Sequence, residues 1–340
     1  MKQHKVVLYN TEGTGIGVEE KVLRDMGCYD KFNLVRIDGD RDDDFFKEAA
    51  DADGVIIVYI DMNRENFEKL PNCKVLTIHA IGVNNIDQKA ATDLGICVGN
   101  VPTYCLEEVA VHTIAMVLDG ARKITQMDRR VRRGEWPDVT GCGKIFNTMG
   151  KTYGLVAFGN IPRRIAEIAK EFGMRVIAYD PFVAKEEFEQ NVVRRVDTLE
   201  ELFAESDYIS VHTPRLPSTY HMIGKKQFDA LKPGAVFVVT GRGGVVDEDA
   251  LKAAITSGKV SFAAFDVLEN EISLGEVESG SPLMGMEEVV MTPHTAYYSE
   301  ESLVQCRIDA MKQIVEVLEG KKLPSYLVNK DVAGKARFQK

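Results

Sequence analysis

Three short apolar runs, residues 235–240, 260–265 and 289–291, each lead into a side chain that carries chemistry. The first leads into Arg242, the second into Asp266 with Glu269 and Glu271 beyond it, and the third into His294. Open α/β sheets gather their ligands just past the carboxyl ends of successive strands. The pattern therefore constrains the fold and the site together. A cation, carboxylates and an imidazole on neighbouring strand ends form a proton-transfer site suited to an anionic substrate. Arg242 can hold a carboxylate through two parallel N–H bonds, a geometry that lysine cannot copy. Histidine suits acid/base work near neutral pH, and a carboxylate beside His294 would orient it and stabilise its charged form.

The 340 residues suffice for two domains, each with its own core. With 45% hydrophobic and 28% charged residues, the composition is that of a soluble globular protein. A net charge of −10 argues against nucleic acid as a partner. The basic cluster Arg129, Arg130, Arg132 and Arg133 is read as a solvated helix end. The six cysteines, at 28, 73, 97, 105, 142 and 306, form no C-x-x-C pair, so neither a metal site nor a disulfide framework is expected. No apolar stretch reaches the ~18 residues of a membrane span, and the first residues lack the apolar run of a signal peptide. A cytoplasmic protein without a membrane partner is expected.

Strands are expected at residues 5–9, 33–37, 54–60, 74–78 and 96–98, with a helix over 85–94. The start of the chain imitates a dinucleotide site: a strand, then E-G-T-G-I-G-V-E-E, a helix, and a strand that ends at Asp38. The spacing fails, because Val18 stands where the third glycine of G-x-G-x-x-G belongs after Gly13 and Gly15. We read this stretch as the first βα unit of a flavodoxin-like domain. A better candidate follows the strand at 153–157, in Ala157-Phe158-Gly159-Asn160-Ile161-Pro162. Gly159 stands where the backbone must approach a pyrophosphate. Pro162 falls near the start of the next helix, 163–172, where its missing N–H had no helical partner. Ala157 replaces the glycine of the tight turn. The strand at 175–179 ends in Asp180, 21 residues after Gly159, as expected of the acid at the ribose hydroxyls. A 2′-phosphate would meet that carboxylate with no adjacent arginine, so NAD and not NADP is expected. A helix is expected at 199–205, a strand at 208–212, a long amphipathic helix at 300–318, and a frayed basic tail at 335–340.

The blocks T-G-R-G-G-V-V-D, A-A-F-D-V-L-E-N-E and T-P-H-T-A resemble the signatures of the D-isomer-specific 2-hydroxyacid dehydrogenases. The resemblance covers about residues 54–330 and implies a catalytic set of Arg242, Glu271 and His294, with Asp266 beside the nicotinamide. Glu269 lies in the same loop and is the rival partner for His294, although the family's spacing favours Glu271. The loop A-I-G-V-N-N-I-D is similar to the family's carboxylate loop, where backbone N–H groups of Ile81, Gly82 and Val83 would face the anion. The cofactor would lie against Gly159, Asn160, Ile161, Asp180, His212, Thr213, Thr240 and Gly241, and the substrate side chain against Tyr104 and Tyr297. His112 lacks the glutamate that often precedes it in the family, having Val111 instead, and is read as a packed core histidine. The G-E-W segment ending at Trp136 resembles the family's dimer region, although a lone tryptophan is as often core.

The fold class implied is two α/β doubly wound parallel-sheet domains with the site in a cleft between them. Residues 1–103 and 297–340 would form a discontinuous substrate domain and 104–296 the NAD-binding Rossmann domain. The implied function is reversible hydride transfer between NAD(H) and a small 2-keto or 2-hydroxy acid, in a homodimer. T-P-H-T-A-Y-Y resembles the D-lactate dehydrogenase branch, and phosphoglycerate dehydrogenases usually carry an arginine where this chain has Tyr59-Ile60-Asp61-Met62, so a non-phosphorylated, D-lactate-like substrate is expected. A second reading is a dinucleotide-sensing binding protein, because N-V-P-T-Y-C-L-E-E-V-A and T-P-H-T-A-Y-Y-S-E-E-S are similar to blocks of the C-terminal-binding corepressors. A third is a degenerate Rossmann protein that has lost its cofactor, suggested by Ala157 and Pro162.

Overall fold

A computed structural model describes residues 3–11, 13–39, 41–136, 141, 143–269 and 281–339. Strands such as Gly-Val-Ile-Ile and Val-Leu-Thr-Ile are buried at every position, the mark of parallel strands covered by helices on both faces. The chain begins with β1 (His4–Tyr9), β2 (Phe32–Ile37), β3 (Gly54–Ile57), β4 (Val75–Ile78) and β5 (Cys97–Gly99). Helices α1 (Gly17–Asp25), α2 (Asp42–Ala49), α3 (Arg64–Glu68) and α4 (Gln88–Asp93) alternate with them. Helices α5 (Leu106–Arg122) and α6 (Ile124–Arg132) lead into β6 (Thr152–Val156), α7 (Asn160–Glu171), β7 (Arg175–Tyr179), α8 (Lys185–Gln190) and β8 (Arg194–Arg195). Next come α9 (Leu199–Glu205), β9 (Tyr208–Val211), α10 (Lys225–Ala230), β10 (Ala235–Val239), α11 (Glu248–Thr256), β11 (Val260–Phe265), β12 (Val289–Met291) and finally α12 (Glu300–Leu318).

The chain divides into two compact units, Met1–Cys105 with Tyr298–Lys340, and Leu106–Tyr297. Against the expected division, Tyr104 and Cys105 fall in the first unit and Tyr297 in the second. Tyr104 belongs to the first unit, where it packs on the core formed by Leu8, Ile56 and Met311. Tyr297 belongs to the second, where its ring lies 6.3 Å from that of His294.

In the first unit the strand order is β2-β1-β3-β4-β5, all parallel, the flavodoxin-like arrangement. One face packs on α12 through Ala310, Met311 and Ile314, and the other is covered by Phe45, Phe67 and Ala90. The strand expected to reach residue 60 ends at Ile57. Beyond it the carbonyls of Val58 and Ile60 accept hydrogen bonds from the Asn85 amide and no longer from a neighbouring strand. The helix expected from residue 85 begins only at Gln88, because the Asp87 side chain caps it by accepting from the Ala90 N–H. The tail is not frayed as far as residue 339. Arg337 Nη1 donates to the carbonyls of Leu70, Pro71 and Cys73, and Phe338 is buried.

In the second unit the order is β12-β11-β10-β9-β6-β7-β8. The chain runs outward from β6 in one direction and from β9 in the other, which puts the switch point of a doubly wound sheet between them. Trp136 is 90% exposed and forms no part of a core. Cys28, Cys73, Cys97, Cys105 and Cys306 are buried and form no disulfide among the described residues, and Cys142 lies outside the described residues. No helix among the described residues is long and apolar enough to cross a membrane.

His79, just after β4, is 4% exposed and neither ring nitrogen has a hydrogen-bond partner. Burial, aided by the charges of Arg307 and Arg36, pushes its pKa down to about 3. The unfolded chain therefore binds a proton that the folded chain refuses over the interval from about 6.5 down to about 3, and stability falls as the pH is lowered through that window. His79→Gln is expected to flatten the slope of urea-unfolding free energy between pH 6 and pH 4 by up to about 1.4 kcal/mol per pH unit. An unchanged slope would place the titration elsewhere.

Candidate active site

The last residues of three neighbouring strands, Val239, Phe265 and Met291, stand in one row. Arg242, Asp266 and His294 follow them, so the second sheet brings all three to its carboxyl edge. Asp266 is 2% exposed and its carboxylate accepts three hydrogen bonds. Thr292 Oγ1 and the Thr295 N–H donate to Oδ1 at 2.5 and 2.9 Å, and the Ala296 N–H donates to Oδ2 at 2.9 Å. The turn from 292 to 296 is thus wrapped around one carboxylate. His294 sits at its centre in the left-handed region, at φ 51°, with its N–H directed to the Asp266 carbonyl at 2.8 Å. A histidine in that conformation is strained, and the Asp266 contacts are what hold it there.

Arg242 is half-buried, and its guanidinium makes one hydrogen bond, from Nη1 to the Gly241 carbonyl at 2.7 Å. Among the described residues no carboxylate pairs with it, so its charge is available to an anion. Glu271 lies outside the described residues. Glu269 is engaged elsewhere: its carboxylate accepts from Tyr220 Oη at 2.7 Å and lies 2.9 Å from His221 Nε2.

His112 corrects the reading from sequence. It is not packed in a core; its side chain is 26% exposed, and Nε2 lies 3.1 Å from Thr292 Oγ1 and 3.8 Å from Asp266 Oδ1. No local signal marks this, because the two partners are more than a hundred residues away in the chain.

On the dinucleotide side, the turn after β6 keeps the shape that glycine would give it. Ala157 adopts φ +80°, the left-handed conformation of the tight turn. Gly159 is the N-cap of α7, a Cβ built there would meet nothing within 4 Å, and no side chain caps the helix. The N–H groups at Asn160 and Ile161 donate to none of the described residues and stand at a helix N-terminus, a fit for a pyrophosphate. Pro162 occupies the first turn, as expected. Asp180 follows β7, with one carboxylate oxygen accepting from the Phe158 N–H and the other from the Phe182 N–H, both at 2.9 Å. Each oxygen keeps a lone pair for a ribose hydroxyl.

His212 follows β9 and joins a polar chain. Tyr153 Oη donates to Ser210 Oγ at 2.9 Å, Ser210 Oγ lies 2.7 Å from His212 Nε2, and Thr240 Oγ1 lies 3.3 Å from Nδ1 and 2.9 Å from Thr113 Oγ1. Burial pushes the His212 pKa down to about 3, so the ring is neutral. Thr213 is buried, and a Cβ on Gly241 would come within 3.0 Å of the His212 backbone. The ends of β9 and β10 therefore meet closely here.

In the first unit, the loop after β4 has its carbonyls occupied. Ala80 O accepts from the Val101 N–H, Ile81 O from the Asn100 amide and Val83 O from the Ile86 N–H. The N–H groups of Ile81, Gly82 and Val83 donate to none of the described residues, which leaves three successive donors for an anion.

A doubly wound sheet of this order, with an uncapped glycine turn and an acid after its second strand, is a fold that binds nicotinamide dinucleotides. Within that class, residues 114–296 match the D-isomer specific 2-hydroxyacid dehydrogenase, NAD binding domain. The chain belongs to that family, and NAD is its cofactor. It is 40% identical over 259 residues to D-3-phosphoglycerate dehydrogenase of Archaeoglobus fulgidus, covering 76% of this chain and 48% of that one. It is 35% identical to glyoxylate reductase of Korarchaeum cryptofilum, covering 84% and 85% of the two chains. The chain thus spans about half the length of the phosphoglycerate dehydrogenases it matches. Among solved structures, D-mandelate dehydrogenase of Rhodotorula graminis in its holo form superposes with a TM-score of 0.85 at 26% identity over 96% of this chain and 98% of that one. D-lactate dehydrogenase of Escherichia coli gives 0.76 at 30% identity over 95% and 100%.

Ala157→Gly is expected to stabilise the protein by about 0.5–1 kcal/mol, since relief of a left-handed alanine exceeds the added freedom of glycine in the unfolded chain. Ala157→Val should destabilise it. Thermal unfolding checks both, and a glycine variant no more stable than the parent would show that the turn carries no strain.

Proposed function

We propose that the protein reduces a small, non-phosphorylated 2-keto acid to the 2-hydroxy acid at the expense of NADH, and catalyses the reverse reaction. The observation that carries this reading is the available Arg242 guanidinium on the strand end next but one to that of His294, with buried Asp266 between them. Arg242 holds the substrate carboxylate through a two-bond fork. Bound NADH supplies the hydride. His294, paired with Glu271, gives its proton to the developing alkoxide; Glu269 is already occupied by Tyr220 and His221. Tyr297, close to the His294 ring, borders the substrate side chain. Relatives named glyoxylate reductase and phosphoglycerate dehydrogenase make glyoxylate and hydroxypyruvate as worthwhile to test as pyruvate. Exposed Asp61, just beyond β3, favours a substrate without a phosphate.

A panel of pyruvate, glyoxylate, hydroxypyruvate, and branched and aromatic 2-keto acids with NADH tests the activity directly. His294→Ala should lower kcat by roughly 10²–10⁴-fold with NADH affinity kept, and Arg242→Lys should lose affinity for the keto acid. NADH binding without turnover of any keto acid would leave the sensing protein as the surviving reading.

For the cofactor, a 2′-phosphate would lie against the Asp180 carboxylate, a repulsion of several kcal/mol or about a hundredfold in preference. Asp180→Ser should narrow the gap between NADH and NADPH chiefly through the apparent affinity for NADPH. Equal kcat/KM with the two cofactors in the unaltered protein would remove Asp180 from the discrimination.

A further inference from the structure

Arg242 stands on a turn that is gripped from two sides, and both grips converge on one carboxylate. We propose that Glu269, held by Tyr220 and His221, is a positioning residue that sets the direction of the Arg242 guanidinium toward the substrate's carboxylate; this rests on the anion-holding role given to Arg242 above. The residue after Arg242 lies directly on a neighbouring backbone. A Cβ built on Gly243 would stand 1.9 Å from the Leu268 carbonyl oxygen and 2.7 Å from the Glu269 nitrogen. The next residue, Gly244, turns through φ +75°, and its carbonyl accepts from the His221 N–H at 2.8 Å. A Cβ there would meet the Arg215 guanidinium at 3.2 Å and the Tyr220 ring at 3.5 Å.

The turn is thus pinned between residues 220–221 on one side and 268–269 on the other. The Glu269 side chain ties those two segments together. It accepts from Tyr220 Oη at 2.7 Å and meets His221 Nε2 at 2.9 Å, while its own N–H donates to Glu248 Oε1 at 3.1 Å. Burial by itself would raise the Glu269 carboxyl, but the bonds from His221 and Tyr220 outweigh it and hold the group below the usual carboxylate range. The Tyr220 and His221 rings stack at 4.0 Å, and the His221 backbone is left-handed at φ 47°, a conformation that persists only where its surroundings enforce it.

Two features distinguish this clamp from ordinary stabilisation. It lies near the surface, with the Tyr220 ring 48% exposed and the His221 and Glu269 side chains 35% and 21% exposed, where such pairs add little to folding. Arg242 also has one bond of its own, to the adjacent Gly241 carbonyl, so its aim depends on the backbone beneath it.

The experiment compares Glu269→Ala, Glu269→Gln and Tyr220→Phe in the full chain. The readouts are KM and kcat with the best keto acid of the panel, NADH affinity by fluorescence, melting temperature, and the Kd of oxalate in the presence of NADH. Glu269→Ala should raise KM and the oxalate Kd about tenfold, the worth of one hydrogen bond to a charged group, with kcat little changed because Arg242 binds ground and transition states alike. NADH affinity should stay within about twofold of the parent. Glu269→Gln should recover most of the loss, since its amide can accept from Tyr220 and donate to a bare His221 Nε2. Tyr220→Phe should give a smaller rise in KM. Unchanged KM and oxalate affinity in Glu269→Ala overturn the proposal, as does a fall in NADH affinity and melting temperature that matches the loss of oxalate binding. A parent protein with no turnover defeats the proposed activity, and oxalate binding then still decides the clamp. A parent that binds no oxalate overturns the clamp as well.

Discussion

The second unit depends at its carboxyl edge on one buried carboxylate. Asp266 is fixed by its own backbone, whose N–H donates to Val239 of β10 and whose carbonyl accepts from His294. Its side chain then collects three donors from residues 292–296. A buried charge without such partners would be costly, so the turn and the carboxylate each require the other. The geometry of His294 follows from this mutual requirement, since its φ of 51° lies in a region that residues other than glycine enter uncommonly, although histidine does so more readily than most.

The rest of the edge shows the same economy of parts. Arg242 and Asp266 follow adjacent strands whose register is set by apolar residues, so their separation is a property of the sheet. Gly241 and Gly243 remove side chains where two backbones must touch. His212, neutral and half-buried, links the hydroxyls of Ser210, Thr240 and Thr113 into one chain. A fully satisfied polar chain of this kind holds strand ends in one arrangement.

Much of this was legible in the sequence, and for identifiable reasons. Strands at 260–265 and 289–291 and the helix at 300–318 coincide with their expected limits, because runs of buried apolar residues and helical periodicity are local properties. The misjudged pieces depend on distant partners. The strand after Gly54 ends early because Asn85 takes its carbonyls, and the basic tail is ordered because Arg337 finds three carbonyls near residue 70. His112 was misread for the same reason, since its meaning comes from Thr292. Glycine's absence at residue 157 suggested a weakened turn, yet the alanine takes the glycine-like conformation. A sequence shows the missing residue but not whether its replacement tolerates the strain.

The discontinuous build of the first unit bears on how the protein is made. Its sheet is sealed by Met311 and Ile314 of α12, and by Asn329, whose side chain accepts from the Val98 N–H and donates to Ile96 O. Those residues leave the ribosome after every residue of the second unit. During synthesis at about 5–20 residues per second, the second unit can close on itself while β1, β3 and β4 still wait with one apolar face uncovered. The nascent chain therefore keeps Leu8, Ile56 and Val75 uncovered for about ten seconds or more, so the first unit, begun first, is the last to complete its core.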